Sequence, residues 1–466
     1  MDVNDQEQEH QQSVTEAAPT DLESPMRGIA DAERRIAAYA AYQKQLGNDV
    51  LNLATAENIL LYESLKKTVF DKIRFELNDI RYANPPYGKD DVLRPLTSFL
   101  QDSMSENVNY TDIYATTGVS GALECLAFAL KKIGVLQDDD WVLMPAPRWQ
   151  GFKWCFEQRP KLRCTYVQLS DSDPNPFELT LKQAQDAYKN LSPHPRLLVL
   201  TNPNNPLGVN YPKNLLEEIY GWALEQNPEM HIISDEIYAH SQIKEAEPKF
   251  FSAFDLDVYS KYKERIHVVW GLAKDFGLSG FRVGFIISKS KSVGDIIKGD
   301  KDHESMSWFS PLDSLKNVVL RELFKKDSPY PIRLMNEYKV ALNKSHDEVL
   351  AALKDKETGV SYLDTGKNNS AQFFVLDLRK YLGKVSPNRS SDDPSEEAFF
   401  SKIELSENER ELFEYIKNEA KVLLLPGKTL QFSNEGFFRM CFTAFKSSEV
   451  SGAVKAIGKA LRKLDP

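Results

Sequence analysis

The feature that most limits the fold is an alternation running from about residue 110 to 290. Six short apolar runs recur there: "DDWVLMPAP", "LRCTYVQL", "PRLLVLTNP", "HIISDEIYA", "RIHVVWGLA" and "FRVGFIIS". Each ends at Pro, Gly or polar residues, and helical patterns such as "NLLEEIYGWALEQ" lie between them. Runs that are apolar or β-branched at consecutive positions predict strands buried on both faces. Strands of that kind alternating with helices predict an α/β architecture, a mainly parallel sheet with helices on both sides.

The flanks differ in texture. Residues 1–25 hold seven acids and no Lys or Arg, which predicts a disordered acidic tail without the basic start of a signal peptide or the arginines of a transit peptide. Helical propensity rises from Met26 in "GIADAERRIAAYAAYQKQL", so residues 26–80 are expected to form an N-terminal helical segment. The alternating region is expected to form a large domain over 81–310. After it come long helical patterns and the runs "QFFVLDL", "VLLLPG" and "FFRMCFTAF", which predict a smaller α+β domain over 311–466 with an exposed loop near 384–398. A hydrophobic share of 42% supports a substantial core, and a formal charge of −10 argues against a general nucleic-acid binder. No apolar run approaches the ~20 residues that span a bilayer. Cys125, Cys155, Cys164 and Cys441 are scattered through apolar segments without a metal-binding spacing, which suits buried thiols in a reducing, cytosolic compartment.

Ligands of open α/β sheets sit beyond the carboxyl ends of the strands, so the residues after each apolar run carry the information. In "YATTGVSGALECLAFAL", a Thr-Thr-Gly turn opens a helix with apolar residues at 119, 122, 123, 126, 127 and 130. The amides of Gly118, Val119 and Ser120 would then face an anion, with phosphate the natural guest, although an ordinary capped helix explains the same letters. In "TNPNNPLG", two X-Pro pairs extend a loop from which Asn205 can present its amide. Asp235 ends the run "HIISD", with Tyr238 three residues on, and a carboxylate at a cleft base needs a cationic or protonated partner. "GLAKDFGLSGFRVG" places Lys274 at a strand end and Arg282 farther along. A desolvated lysine becomes a nucleophile and base, an arginine grips phosphate with two bonds, and Gly277, Gly280 and Gly284 would allow tight turns and close approach of a ligand. Arg439 interrupts the apolar run "FFRMCF" and demands an anion, which a substrate carboxylate or an internal acid could supply.

In this order the pieces resemble the fold-type I pyridoxal-phosphate (PLP) enzymes, the aminotransferase class I/II family, over about residues 48–463. The resemblance implies the aspartate aminotransferase-like PLP-transferase fold, with a large domain around a seven-stranded-type sheet and a smaller domain. It implies that Lys274 forms the Schiff base with PLP and moves protons at Cα, that Asp235 keeps the pyridine nitrogen protonated, and that Tyr238 and Asn205 contact the ring's phenolic oxygen. Arg282 and the amides of the Gly118–Ser120 turn would hold the phosphate, Trp149 in "PAPRWQGF" would stack on the ring, and Arg439 would bind the substrate α-carboxylate. A homodimer with shared active sites is implied as well, with Tyr82 or Tyr87 of "RYANPPYG" reaching the partner's phosphate.

Within the family, "ATAEN", "SDEIYA", "KDFGLSGFRVG", "ESMSWFS" and "FFRMCF" look like the 1-aminocyclopropane-1-carboxylate (ACC) synthase-like branch, where Glu57 would face the substrate. That branch holds ACC synthases, transaminases and carbon–sulfur lyases. The chain departs from the family pattern at Gly271, where Ser or Thr is usual, at "NPLG" in place of N-P-T-G, and in the spacing of Tyr82 and Tyr87 to the next glycine. The expected reaction is transamination of an α-amino acid, with S-adenosylmethionine elimination or carbon–sulfur cleavage as the alternative. A non-catalytic regulator of this fold would be expected to carry a DNA-binding domain, and a nicotinamide dehydrogenase would need a G-x-G-x-x-G after a strand.

Overall fold

The computed structural model describes residues 49–82, 85–244, 247–306, 312–326, 328–364, 370–385 and 405–465. The acidic tail, the helix expected from Met26, the end of "ESMSWFS" and most of the loop at 384–398 lie outside them.

After a short strand β1 (Leu51–Asn52) come helices α1 (Tyr62–Thr68) and α2 (Asp90–Ser103). Strand β2 (Ile113–Thr116) leads into α3 (Gly118–Lys132), then β3 (Trp141–Ala146) and β4 (Arg163–Gln168). Next are α4 (Leu181–Lys189), β5 (Leu197–Thr201), α5 (Lys213–Gln226) and β6 (His231–Asp235). Then follow α6 (Asp257–Tyr262), β7 (Ile266–Gly271), β8 (Gly284–Ser288) and α7 (Lys291–Lys298). The remainder holds α8 (Ser314–Leu323), α9 (Tyr330–Lys354), β9 (Phe373–Asp377), α10 (Glu407–Ala420), β10 (Val422–Leu423), β11 (Leu425–Pro426), β12 (Phe437–Cys441) and α11 (Ser447–Arg462).

Seven strands form one sheet in the order β2-β8-β7-β6-β5-β3-β4. All six apolar runs read from the sequence are strands of it. Every pairing is parallel except those of β8, which runs against both β2 and β7. Strands β5, β6, β7 and β8 are buried at every position, which is why their sequences are mostly apolar and show no polar alternation. The apolar stripe of α3, with Leu123, Leu126 and Leu130 buried, packs onto a core that includes Val142, Val199, Ile233, Val269 and Ile286. A second, antiparallel sheet takes the order β11-β12-β9, and β1 pairs in parallel with β10.

Parallel strands end at one edge, and the antiparallel β8 begins there. Register therefore lines up Thr116 with Gly284, Gly284 with Gly271, and Thr201 with Asp235. Gly118, Asn205, Asp235, Lys274 and Arg282 fall on or just beyond this row, whereas Arg439 lies on β12 of the second sheet.

Candidate active site

Asp235 closes β6 on that row and is 4% exposed. Burial pushes its carboxyl up to about 7, against a 3.3 Å bond from the Ile237 amide, a 3.4 Å contact from the Thr201 hydroxyl and the charge of Lys274. Both bonds are long. A buried carboxyl so weakly served could take a cation brought by a ligand.

Lys274 follows β7 in a turn. Its half-buried side chain donates from Nζ to the Ala56 carbonyl at 2.6 Å. Burial brings the ammonium down to about 8, with Glu57 and Cys441 opposing that shift and Arg439 and Arg282 adding to it. The segment 56–58 wraps this turn. Asn58 Nδ2 donates to the Lys274 carbonyl at 2.8 Å, and Ser279 Oγ donates to the Glu57 carboxylate. The Glu57 carbonyl in turn accepts from Thr443 Oγ1 at 2.7 Å, just past β12.

Two glycines of this stretch let the chain approach itself, and Gly277, at φ +70°, takes the tight turn expected of it. A β-carbon at Gly277 would stand 2.1 Å from the Asn58 carbonyl oxygen, and one at Gly284 would stand 2.4 Å from the Gly118 carbonyl carbon and 2.5 Å from the Val119 amide nitrogen. Gly280 has open space around it. The departure at Gly271 has the same origin, because a side chain there would meet the Val283 carbonyl at 2.6 Å.

Gly284 thus lets the start of α3 sit directly on the sheet edge. Gly118 opens that helix with φ +83°, and a β-carbon on it would lie 2.7 Å from Arg282 Nη2. Arg282 itself is left-handed at φ 53° and is braced by its bond from Nη1 to the Ser279 carbonyl at 2.8 Å. The first-turn amides of a helix have no acceptors inside it, so Val119 and Ser120 present N–H groups beside a guanidinium. This is an anion cradle, and it fits a phosphate.

On the other side, Arg439 is buried in the middle of β12. It donates from Nη1 to Asn205 Oδ1 at 2.8 Å and from Nη2 to the Ala54 carbonyl at 2.6 Å, and its guanidinium lies 4.3 Å from the Phe373 ring centroid. With its oxygen so engaged, Asn205 keeps its amide N–H groups for a ligand. Tyr238 packs edge-on against Phe373 at 5.4 Å, and burial raises its hydroxyl well above the usual value against the pull of Arg439. Trp149 is half-buried, edge-on to Phe152 and Trp154, with its ring folded over Gly151.

The two tyrosines separate. Tyr87 gives its carbonyl to the Ala115 amide and packs edge-on to Tyr114 at 6.1 Å, whereas Tyr82 is 99% exposed. Sequence reasoning passed over Asn58, Asp275, His240 and Gln372, which all hold the lysine turn. Asn58 and Asp275 stood inside the stretches already read, but their polar atoms turn inward to main chain and to each other's neighbours, which no local pattern reveals.

The sheet order, the lysine after β7, the buried carboxyl ending β6 and the cradle at α3 define a fold-type I PLP-transferase architecture. The chain matches the family model "Aminotransferase class I and II" over residues 48–457 and belongs to that family, whose members depend on PLP. It is 29% identical over 304 residues to a probable aminotransferase of Aspergillus oryzae, covering 63% of this chain and 70% of that one. It is 26% identical over 427 residues to the 1-aminocyclopropane-1-carboxylate synthase of Nicotiana tabacum, covering 88% and 78%. Among solved structures, the aspartate aminotransferase of Rhizobium meliloti superposes with a TM-score of 0.67 at 18% identity, over 92% of this chain and 95% of that one. The aromatic aminotransferase of Pyrococcus horikoshii does so with 0.65 at 20%, over 92% and 100%.

Proposed function

We propose that the chain is a transaminase of an α-amino acid, acting as a cytosolic homodimer. The observation that carries this reading is Lys274: an amine in the turn after β7, bonded to the Ala56 carbonyl, brought down to about 8 by burial, and within the fields of Asp235 and Arg439. An amine of that strength is available as nucleophile and base near neutral pH.

The residues present fit PLP. The cradle at Gly118, Val119, Ser120 and Arg282 would take its phosphate, Asp235 its ring nitrogen, Asn205 and Tyr238 its phenolic oxygen, Trp149 a ring face, and Lys274 its carbon. When bound, the coenzyme supplies an aldehyde and a ring that draws electrons from the substrate's Cα. Arg439 would orient the substrate by its carboxylate, and Lys274 Nζ would take the proton from Cα and deliver it to the coenzyme's aldehyde-derived carbon, which is the shift that transamination requires. Of the two tyrosines, Tyr82 is the one free to reach a partner. It ends an apolar strip, Phe75, Leu77 and Ile80, that is exposed in the single chain and suits burial against a second copy. Among the described residues no helix is long and apolar enough to cross a membrane. The buried thiols of Cys125, Cys155 and Cys441 suit a reducing compartment.

Elimination, on S-adenosylmethionine or a carbon–sulfur bond, is a second reading. It is favoured by Glu57, whose carboxylate is held by Ser279 within the field of Lys274, and by the ACC synthase relatives. A visible spectrum of the purified protein separates the two. A coenzyme band absent in Lys274→Ala, bleached by an amino acid and restored by a 2-oxo acid, is the expected result. A band that persists while S-adenosylmethionine or a thioether is consumed would favour elimination. No band after PLP is added would overturn both.

A further inference from the structure

The residue after the lysine is fully buried and heavily bonded. Asp275 is 0% exposed. Its Oδ2 accepts from the His240 amide at 3.2 Å, from His240 Nδ1 at 3.1 Å and from Trp270 Nε1 at 3.2 Å, and its Oδ1 accepts from Ser241 Oγ at 2.7 Å. A carboxylate only accepts, so every one of these partners is spending a proton on it. Because Ser241 has used its hydroxyl proton, Tyr338 Oη must donate to Ser241 Oγ at 2.7 Å. Gln372 Nε2 then donates to Tyr338 Oη at 2.8 Å. Its other proton goes to the Lys274 carbonyl at 3.0 Å.

The bonds thus form a loop in which Gln372 donates both ways, through Tyr338 and Ser241 to the carboxylate of Asp275 and directly to the main chain of Lys274. It draws on β7, the turn after β6, α9 and the residue before β9. His240 extends it outward, with Nε2 3.0 Å from Ser103 Oγ at the end of α2. The His240 ring is stacked on Phe99 at 5.4 Å and edge-on to Trp270 at 5.7 Å, so water is kept from the pair. In so dry a site each bond is stronger, and the loss of the charge that orients them is felt along the whole series.

We propose that Asp275 and His240 are positioning residues for Lys274, acting through the turn 272–278 that carries it. The inference rests on Lys274 being the reactive amine. The charge of Asp275 orders Ser241, Tyr338 and Gln372, and Gln372 with Asn58 fixes the Lys274 carbonyl. The side chain leaving that fixed peptide reaches the Ala56 carbonyl and stands where Glu57, Cys441, Arg439 and Arg282 act on it. If the peptide is released, the amine drifts out of that environment.

The test uses the full chain without added coenzyme, comparing wild type with Asp275→Asn, His240→Ala and His240→Asn, the last retaining a donor near the Nδ1 position. Trinitrobenzenesulfonate labelling of Lys274, followed by peptide mass against pH, reads the amine, and hydrogen exchange reads the turn. Asp275→Asn and His240→Ala are expected to move the labelling midpoint up from about 8 by about one unit or more. Exchange within 272–278 should speed up about tenfold while β5 and β6 peptides hold, and His240→Asn should recover most of both effects. Midpoints unchanged in all three variants, even with lowered melting temperatures, would overturn the proposal and leave the network purely structural. Borohydride reduction of wild type with PLP, locating the tagged peptide, tests the underlying reading separately. A tag elsewhere than Lys274 sinks that reading whatever the midpoints do.

Discussion

Arg439 Nη1 and Asn205 Oδ1 meet at 2.8 Å across 234 positions of chain. The bond ties the middle of β12 to the loop that follows β5, so a strand of the smaller sheet and a ligand-facing loop of the larger one share one fork. It also commits the oxygen of Asn205 to Arg439. Two proposed contacts, one to coenzyme and one to substrate, are therefore set by the same guanidinium.

Arg439→Lys keeps the charge but loses the fork. Losing one hydrogen bond of the fork to a charged group costs about 1.5–3 kcal/mol, so kcat/KM for the amino acid is expected to fall by about 10-fold to 100-fold. The coenzyme band should persist, with its maximum displaced as Asn205 relaxes. Steady-state kinetics beside a spectrum of the same preparation checks both, and unchanged kinetics would remove Arg439 from the site.

Lys274 carries a stability cost in the coenzyme-free chain. Its folded value of about 8 lies below the ordinary 10.5. Between those values the unfolded chain binds more protons, so stability rises with pH through that window. Lys274→Met is expected to melt higher than wild type near pH 7, with the gap closing by about pH 10.5. Melting curves across pH check the sign, and a gap that widens would contradict it.

Asp235 has the opposite slope. Its folded value, about 7, lies above the ordinary 3.8, so the folded coenzyme-free chain holds a proton that the unfolded chain releases. Stability is then lost as pH climbs from about 4 to about 7 and is level beyond. Asp235→Asn should remove that loss while weakening retention of PLP, because the amide offers no charge to a protonated ring. Melting against pH and equilibrium dialysis of PLP read the two effects independently.

The exposed strip near Tyr82 is anchored from within. Asp79, 2% exposed, accepts from Arg321 Nη1 at 2.8 Å and Nη2 at 2.9 Å, and the Arg321 guanidinium holds its carboxyl down at about 2. Leu77 and Ile80 on either side of it point outward. Leu77→Asp with Ile80→Asp is expected to halve the mass seen by sedimentation equilibrium and to lower PLP retention. Tyr82→Phe should lower retention alone. A wild-type monomer that keeps its coenzyme would refute the shared site.

Much of this was legible in the sequence because burial on both faces leaves a plain mark. The runs ending at Thr201, Asp235 and Gly271 are buried at every position and mostly apolar, and the residues just after them are where a parallel sheet opens. The antiparallel course of β8 was not legible, since its letters are as apolar as those of its neighbours. Nor was the contact of Asp275 with His240, 35 positions away, because both are polar residues that bond inward and no local pattern links them. Which of Tyr82 and Tyr87 turns inward onto Tyr114 was not legible either, being a fact of tertiary packing rather than of spacing.

The glycines yield the sharpest comparison. Gly284 and Gly280 stand in the same motif and look alike as letters. A methyl at 284 would press on the Gly118 carbonyl carbon and the Val119 amide nitrogen, main-chain atoms that cannot swing aside as a side chain does. The start of α3 must then lift from the sheet edge, carrying the amides of Val119 and Ser120 away from Arg282. Gly284→Ala should therefore weaken PLP binding by about tenfold or more, as one charge-assisted phosphate bond is worth about 1.5–3 kcal/mol. Gly280→Ala meets nothing within 4 Å and should bind PLP as wild type does. The two dissociation constants, taken with melting curves to separate cradle from core, decide the matter. Equal constants would mean that the close approach of α3 to β8 has no part in holding the phosphate.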